Sequence, residues 1–133
     1  MSNSDLPAAE PMLRTIAMPA DANPSGDIFG GWLLSQMDMA GGNAAMRRAG
    51  GRVVTVAIDA VNFHEPVEVG DELTCYAHVS HVGRTSMTIE IEAWKRRLDR
   101  QQRVKVTEAV FTYVKIDANR RPQPVPRGDD PPE

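Results

Sequence analysis

The sequence predicts an α+β domain in which five antiparallel strands wrap around one long helix. Three observations carry that prediction. One stretch, residues 30–49, has no proline and few β-branched residues, and its apolar positions recur at helical spacing. Four later segments alternate with period two, as half-buried strands do. The joints between those strands are short and rich in glycine, proline or charge, which favours hairpins over crossovers. A chain of 133 residues suits a single domain of this kind.

Residues 1–11 read as a polar leader. Met12 to Met18 forms a first strand, ended by Pro19, and residues 20–27 are a turn-rich connection dense in Asn, Pro and Gly. The helix follows, with Leu33, Met37, Ala40 and Ala44 as the stripe facing a core, and Gly50-Gly51 stops it. Gly41 and Gly42 inside it each cost about 1 kcal/mol against alanine, so a close approach of the sheet is expected there. Val53 to Phe63 is the second strand. Asp71 to Val82 is the third, with Leu73, Cys75, Ala77 and Val79 on one face. Ser86 to Arg97 is the fourth, with Met87, Ile89, Ile91 and Ala93 opposed to Thr88, Glu90 and Glu92. Val104 to Ile116 is the fifth, its inward face expected to carry Val104, Val106, Val110, Val114 and Ile116. Five of the ten prolines lie after Ile116, so residues 117–133 are expected to be an extended, flexible tail, leaving 12–116 as the folded domain. One helix cannot cover five strands, and the edges call for a partner. Edge-to-edge dimerisation is the expected answer.

Composition excludes several classes. No apolar run approaches the roughly 18 residues of a membrane span, and the first residues, with Asp5 and Glu10, do not form a secretory signal. A single cysteine, Cys75, excludes an internal disulfide framework and a cysteine-rich zinc site. A cytoplasmic protein is expected. Segment 12–116 is neutral and the chain as a whole carries −3, without the basic footprint of a nucleic-acid binder, so an anionic ligand must be held by a local cluster.

The string Asn23-Pro24-Ser25-Gly26-Asp27-Ile28-Phe29-Gly30-Gly31-Trp32 is specific. Together with Ser35-Gln36-Met37-Asp38, Phe63-His64-Glu65-Pro66-Val67 and Val69-Gly70-Asp71, it closely resembles the hotdog-fold acyl-CoA thioesterases of the YciA type, from about Leu13 to Lys115. The resemblance implies the hotdog fold, with the long helix at its centre, and hydrolysis of acyl-CoA to a free acid and CoA. It implies that Asp27 acts in that hydrolysis, that the protein forms dimers and commonly hexamers as trimers of dimers, and that an acid near Asp38 works across the dimer interface. It also implies that the turn Gly83-Arg84-Thr85-Ser86 contacts CoA.

The residues themselves agree with this reading. A helix N-terminus carries unpaired amides and the positive end of the helix dipole, and Gly30 and Gly31 let a carbonyl approach them closely. Asp27, just before, can activate water or attack the carbonyl. On spacing alone Asp27 reads first as a helix N-cap, and the family motif reverses that. Asn23 can orient water or the carbonyl, or serve only the turn. Asp38, among apolar helix residues, needs a partner, catalytic or structural. At the turn, Gly83 permits close approach, Thr85 and Ser86 can hydrogen-bond the pantetheine amides, and Arg84 can meet a phosphate. The basic hairpin Lys95 to Arg103 is a second candidate for that phosphate, or a solvated loop tip.

Other candidates carry less. His64, His78 and His81 lack metal-ligand spacing, since positions 78 and 81 should point to opposite sides of a strand, and no metal or cofactor is called for. His64-Glu65 resembles the acid–base pair of dehydratases of the same fold, without the motif around it. Ser35 lacks a nucleophile-elbow context, and Cys75 fits a core position. Phe29, Trp32, Met37 and Met87 are candidates to line an acyl tunnel. Beside a thioesterase, the sequence leaves open a 3-hydroxyacyl thioester dehydratase and a non-catalytic acyl-CoA-binding module.

Overall fold

The computed structural model describes residues 6, 7 and 9–127. Residues 1–5, 8 and 128–133, parts of the expected leader and tail, lie outside the described residues. Strand β1 (Leu13–Ile16) leads through a short 3-10 turn at Pro19–Asp21 into helix α1 (Gly30–Ala49). Strands β2 (Val53–Phe63), β3 (Glu72–Val82), β4 (Ser86–Arg96) and β5 (Val104–Lys115) follow. All pair antiparallel, in the order β1-β3-β4-β5-β2. β1 and β2 therefore form opposite edges, and α1, which connects them, crosses one face of the sheet and packs mainly on β3 and β4. Among the described residues, no helix is long and apolar enough to cross a membrane.

The core between helix and sheet is built from Leu33, Met37, Ala40 and Ala45 on α1 against Leu73, Met87, Ile89, Ile91 and Phe111 on the strands. Burying such side chains contributes about 1.5–3 kcal/mol each. Small residues on α1 let it lie close. At Gly41, the Tyr113 hydroxyl and Ile91 Cδ1 occupy the space a Cβ would need, as the close-approach argument expects. At Gly42 a Cβ would meet only Tyr113 Cε2 at 3.8 Å, an ordinary contact. The helix ends at Gly50, whose φ of 68° is left-handed and whose amide bonds the Met46 carbonyl at 2.9 Å.

Three expectations are corrected. On β5 Val106 and Ile116 are buried as expected, but from Thr107 to Tyr113 the inward face is Thr107, Ala109, Phe111 and Tyr113, and Val110 and Val114 lie on the opposite face, across from Glu90 and Ser86. The cause is a bulge: Ala93 pairs Thr107 but Trp94 pairs Lys105, so the extra residue Val106 switches the phase of the strand. A second bulge acts on the histidines. His78 faces Glu90 and His81 faces Thr88, so the extra residue Ser80 brings both histidines to the same, outer side of the sheet. Residues 117–127, finally, are a folded clasp rather than a flexible tail. A turn at 117–121 returns the chain, Gln123 N–H bonds Lys115 O, Val125 N–H bonds Arg84 O, and Val125 is only 2% exposed. The prolines there leave few amide donors to satisfy, and an edge position needs few.

β2 leaves one long side open. Val56, Ile58 and Phe63 are 55%, 41% and 54% exposed, and β5 is its neighbour on the paired side. Two register shifts bend this strand, and at the second Ala60 takes a φ of 51°.

Candidate active site

A cleft of about 290 Å³ opens at the N-terminus of α1, lined by Ile28, Gly30 and Leu33 and by the segment Phe63, His64, Glu65, Pro66 and Val67. The turn before the helix fixes its rim. Asn23 Oδ1 accepts the amides of Ser25 (2.9 Å) and Asp27 (3.1 Å), and the Asn23 amide bonds the Asp27 carbonyl at 2.7 Å. Gly26 completes the loop at a φ of 90°, open to glycine and strained for other residues. Asp27 and Ile28 are then tied to the segment before β3, through an Asp27–Glu68 bridge and a 3.0 Å bond from Ile28 N–H to Val67 O.

In this arrangement Asp27 does not cap the helix. The N-cap of α1 is Phe29, and no side chain caps the helix. Asp27 stands two residues earlier, exposed, and its carboxylate has no hydrogen-bond or ion-pair partner within the described chain. The Asn23 Oδ1 is spent on the turn that holds Asp27. Gly31 faces open space and Gly30 is bounded only by the Phe63 ring at 3.7 Å, so the first amides of the helix remain approachable. An unpaired carboxylate three residues before Gly30, ahead of an uncapped helix start that borders the cleft, is of the chemical kind to activate water or attack a carbonyl while helix amides hold the oxyanion.

The thioesterase superfamily model matches residues 25–100, from this turn through the end of β4 and into the hairpin that follows. The chain belongs to the thioesterase superfamily. Within it, the chain is of the YciA type. It is 50% identical over 123 residues to the acyl-CoA thioester hydrolase YciA of Salmonella typhimurium, covering 90% of this chain and 92% of that protein. It is also 52% identical over 120 residues to an uncharacterized acyl-CoA thioester hydrolase of Zymomonas mobilis, covering 90% and 80%. Among solved structures, the hexameric thioesterase of Yersinia pestis superposes with a TM-score of 0.88 at 52% identity, covering 92% of this chain and all of that one. A hexameric broad-specificity acyl-coenzyme A thioesterase superposes at 0.86 with 46% identity, covering 93% and 86%. The fold of this YciA-type thioesterase is thus the hotdog fold.

The remaining candidates of this thioesterase fall in other places. Asp38 sits about 12 Å further along α1 than Gly30 at the ordinary helical rise, away from Asp27 of the same chain. Its Oδ1 accepts the Thr55 hydroxyl (2.6 Å) and the Tyr113 hydroxyl (2.8 Å), and its Oδ2 has no partner among the described residues. Burial first, and then the Asp38 carboxylate, push the Tyr113 phenol well above its ordinary range. The turn at Gly83, Arg84, Thr85 and Ser86 lies at the far end of the sheet. The row Phe63–Thr107–Ala93 at the cleft and the row Val54–Val114–Ser86 beside the turn are separated by roughly 23 Å of strand. The close approach at Gly83 is internal: Ser86 Oγ stands 2.8 Å from where a Cβ would be, and the Gly83 carbonyl takes the Arg127 guanidinium at 2.8 Å. The hairpin at 97–103 is at the Asp27 end, but Arg97 is bonded to Glu68 at 3.2 Å and Arg96 to Glu72 at 3.3 Å.

His64 pairs with Glu108 at 3.7 Å rather than acting with Glu65. The Lys105 ammonium, foremost, holds the Glu108 carboxyl below its usual range. Met37 and Met87 are fully buried core residues and line no part of the cleft; Phe63, Val67 and Leu33 do. Phe63 and Val67 bracket a string that the sequence marks only as part of the resemblance. The signal available was their flanking of Pro66, which ends β2 and bends the chain towards the helix N-terminus.

Proposed function

We propose that this chain hydrolyses acyl-CoA to the free acid and coenzyme A, as a homo-oligomer assembled from edge-paired dimers, with Asp27 at the reacting centre. The observation that carries the reading is the unpaired Asp27 carboxylate beside the uncapped amides of Gly30 and Gly31. With the thioester carbonyl oxygen on those amides, Asp27 draws a proton from water as it adds to the carbonyl carbon, or adds to that carbon itself. The carbon–sulfur bond then breaks, and the CoA thiolate leaves and takes up a proton; where Asp27 itself has added, water then hydrolyses the resulting mixed anhydride, releasing the acid and restoring the carboxylate. A thioester carbonyl is electrophilic enough that no metal or cofactor is required. Each oxyanion donor is worth about 10²–10³ in rate.

The long, apolar, unpaired side of β2 supports the dimer, and the hexameric assembly of the similar thioesterases supports a trimer of dimers. Antiparallel self-pairing of β2 brings the free Oδ2 of Asp38, beside Thr55 on that strand, towards the other copy, where it can serve as the second acid of the site. Thr85 and Ser86 are assigned to the pantetheine of CoA.

Thiol release from acetyl-CoA and from longer acyl-CoAs tests the reading. The wild type should release thiol, and Asp27→Asn should lower kcat by about 10² or more, the low end for a positioned acid–base group. A near wild-type rate in Asp27→Asn overturns the role of Asp27. No thiol release, with dehydration of a 3-hydroxyacyl-CoA instead, overturns hydrolysis in favour of the dehydratase; binding without either reaction leaves an acyl-CoA-binding module.

A further inference from the structure

Three polar residues are buried among the described ones, Asp71, Thr74 and Thr107, and two of them are bonded. The Asp71 carboxylate accepts the Glu68 amide at 2.9 Å, and the Thr74 hydroxyl accepts the Arg14 guanidinium at 3.2 Å. The Thr107 hydroxyl, fully withheld from water, has no partner among the described residues. Such a group destabilises the folded state, and valine would fill the same volume without that loss. Neither the fold nor the carbonyl chemistry at the helix start uses it.

Its place in the sheet ties this hydroxyl to the cleft. His64 N–H bonds Val106 O at 2.8 Å, which makes Phe63 and Thr107 the adjoining non-hydrogen-bonded pair of the β2–β5 ladder. Opposed side chains lie closest in such a pair, and both of these point to the helix side of the sheet. Phe63 is also a wall of the cleft: its ring packs on Gly30 and is 54% exposed, with solvent to turn into. Leu33 and Val67 belong at once to the cleft and to the core. Thr107 thus stands directly behind a cleft wall, with Ala93 on its other side offering no polar group. The polar side chains that line the cleft, His64 and Glu65, are exposed, so an oxygen drawn inward past Phe63 would find its partner at Thr107.

We propose that Thr107 is a specificity-determining residue: with the Phe63 ring turned aside, its hydroxyl bonds an oxygen carried by the acyl group, so that acyl-CoAs with a hydroxyl near the thioester carbon are favoured over plain chains of equal length. The inference rests on the acyl-CoA reading above, with the thioester carbonyl on the helix amides and the acyl group in the cleft. A threonine hydroxyl both donates and accepts, so it serves a hydroxyl in either orientation. An oxygenated chain entering this cleft gives up water and regains a bond at Thr107. A plain chain leaves Thr107 as unpaired as it found it, and a site discriminates against ligands that leave its buried polar groups unbonded. Asp27 and the helix amides act at the carbonyl, whereas Thr107 lies on the sheet, so losing its hydroxyl shifts the choice of acyl group.

The test uses the full chain and two acyl groups of equal length, butyryl and 3-hydroxybutyryl, the latter as both enantiomers. In the kinetic arm, thiol release gives kcat/KM for each CoA thioester. Thr107→Val should lower the ratio of the better 3-hydroxybutyryl enantiomer to butyryl by at least about fivefold, the effect of one neutral hydrogen bond. Thr107→Ser, which keeps the hydroxyl, should hold that ratio within about twofold of wild type. In the binding arm, calorimetry uses analogues in which a methylene replaces the thioester sulfur, so that hydrolysis is impossible. Their affinity ratio should fall in Thr107→Val by the same factor. The valine variant should melt no lower than wild type, so altered selectivity cannot be misfolding. A ratio that Thr107→Val leaves unchanged in either arm overturns the proposal. So does a lower melting temperature, which would show that the hydroxyl already has a partner in the free protein. An affinity ratio that falls as expected in a protein that releases no thiol leaves Thr107 standing and removes the hydrolase reading instead.

Discussion

The Tyr113 hydroxyl donates to Asp38 Oδ1 over 2.8 Å, and it reaches that position across the backbone of Gly41. The phenol lies where any side chain at position 41 would have to stand, so the glycine and the hydrogen bond are one packing solution. Gly41→Ala should therefore destabilise the protein by about 1–3 kcal/mol, the usual range for forced overpacking. Gly42→Ala, with an ordinary contact at 3.8 Å, should be neutral or raise stability by up to about 1 kcal/mol through helix propensity. Urea melts of the two variants give opposite signs if this holds.

Thr107 is fully buried and its hydroxyl has no partner among the described residues. It stands between Phe63 and Ala93, in the row of side chains at the cleft end of the sheet. Replacing it by the isosteric valine removes an unpaired polar group without opening a cavity. Thr107→Val should gain about 1 kcal/mol, read as a higher melting temperature; a lower one would show that the hydroxyl has a partner in the folded protein.

Cys75 is fully buried, and burial raises its thiol from 9.0 to about 12. Above pH 9 the unfolded chain sheds this proton while the folded chain keeps it, so the thiol's contribution falls as pH rises from about 9 to about 12. Cys75→Ala should accordingly lose less stability than wild type between pH 8 and pH 10.5, although it starts lower because of the cavity. At neutral pH the native protein should present no thiol to an aromatic disulfide reagent and one in denaturant, so such a reagent would read released CoA without background from the enzyme.

The exposed side of β2 makes an assembly prediction. Sedimentation equilibrium at micromolar concentration should return a multiple of the chain mass, with six copies as the expected species. Placing lysines on the edge, as Val56→Lys with Ile58→Lys, should shift it towards monomer and abolish thioester hydrolysis together. A wild-type monomer that is fully active would rule out a site shared between copies.

Most of the architecture was legible because α1 and β4 each bury one regular face. Leu33, Met37, Ala40 and Ala44, and Met87, Ile89, Ile91 and Ala93, are all buried as their spacing implies. The reading failed where a bulge changed the phase. β5 carries apolar side chains on both faces, so alternation alone could not choose between Val110 and Phe111, and Val106 inserted one residue before either. Ser80 did the same to His78 and His81. Proline content mistook the clasp for a tail, because composition counts missing donors and does not see that Val125 has a pocket to enter. At the site, the motif singled out Asp27, while spacing alone read it first as a cap. Whether an aspartate two residues before a helix caps it depends on where the first helical turn begins, and Phe29 settles that only in three dimensions.

The uncapped start of α1 gives the fold an unfinished end. A side-chain cap would contribute about 1 kcal/mol at that position, and this chain forgoes it, holding its nearest carboxylate aside. Whatever oxygen settles on the Gly30 and Gly31 amides then plays the part that serine or aspartate plays in other helices. On the proposed reading, recognition of the ligand and completion of the helix become a single event. Heat resistance and occupancy should therefore rise together, by the logarithm of ligand concentration over its dissociation constant.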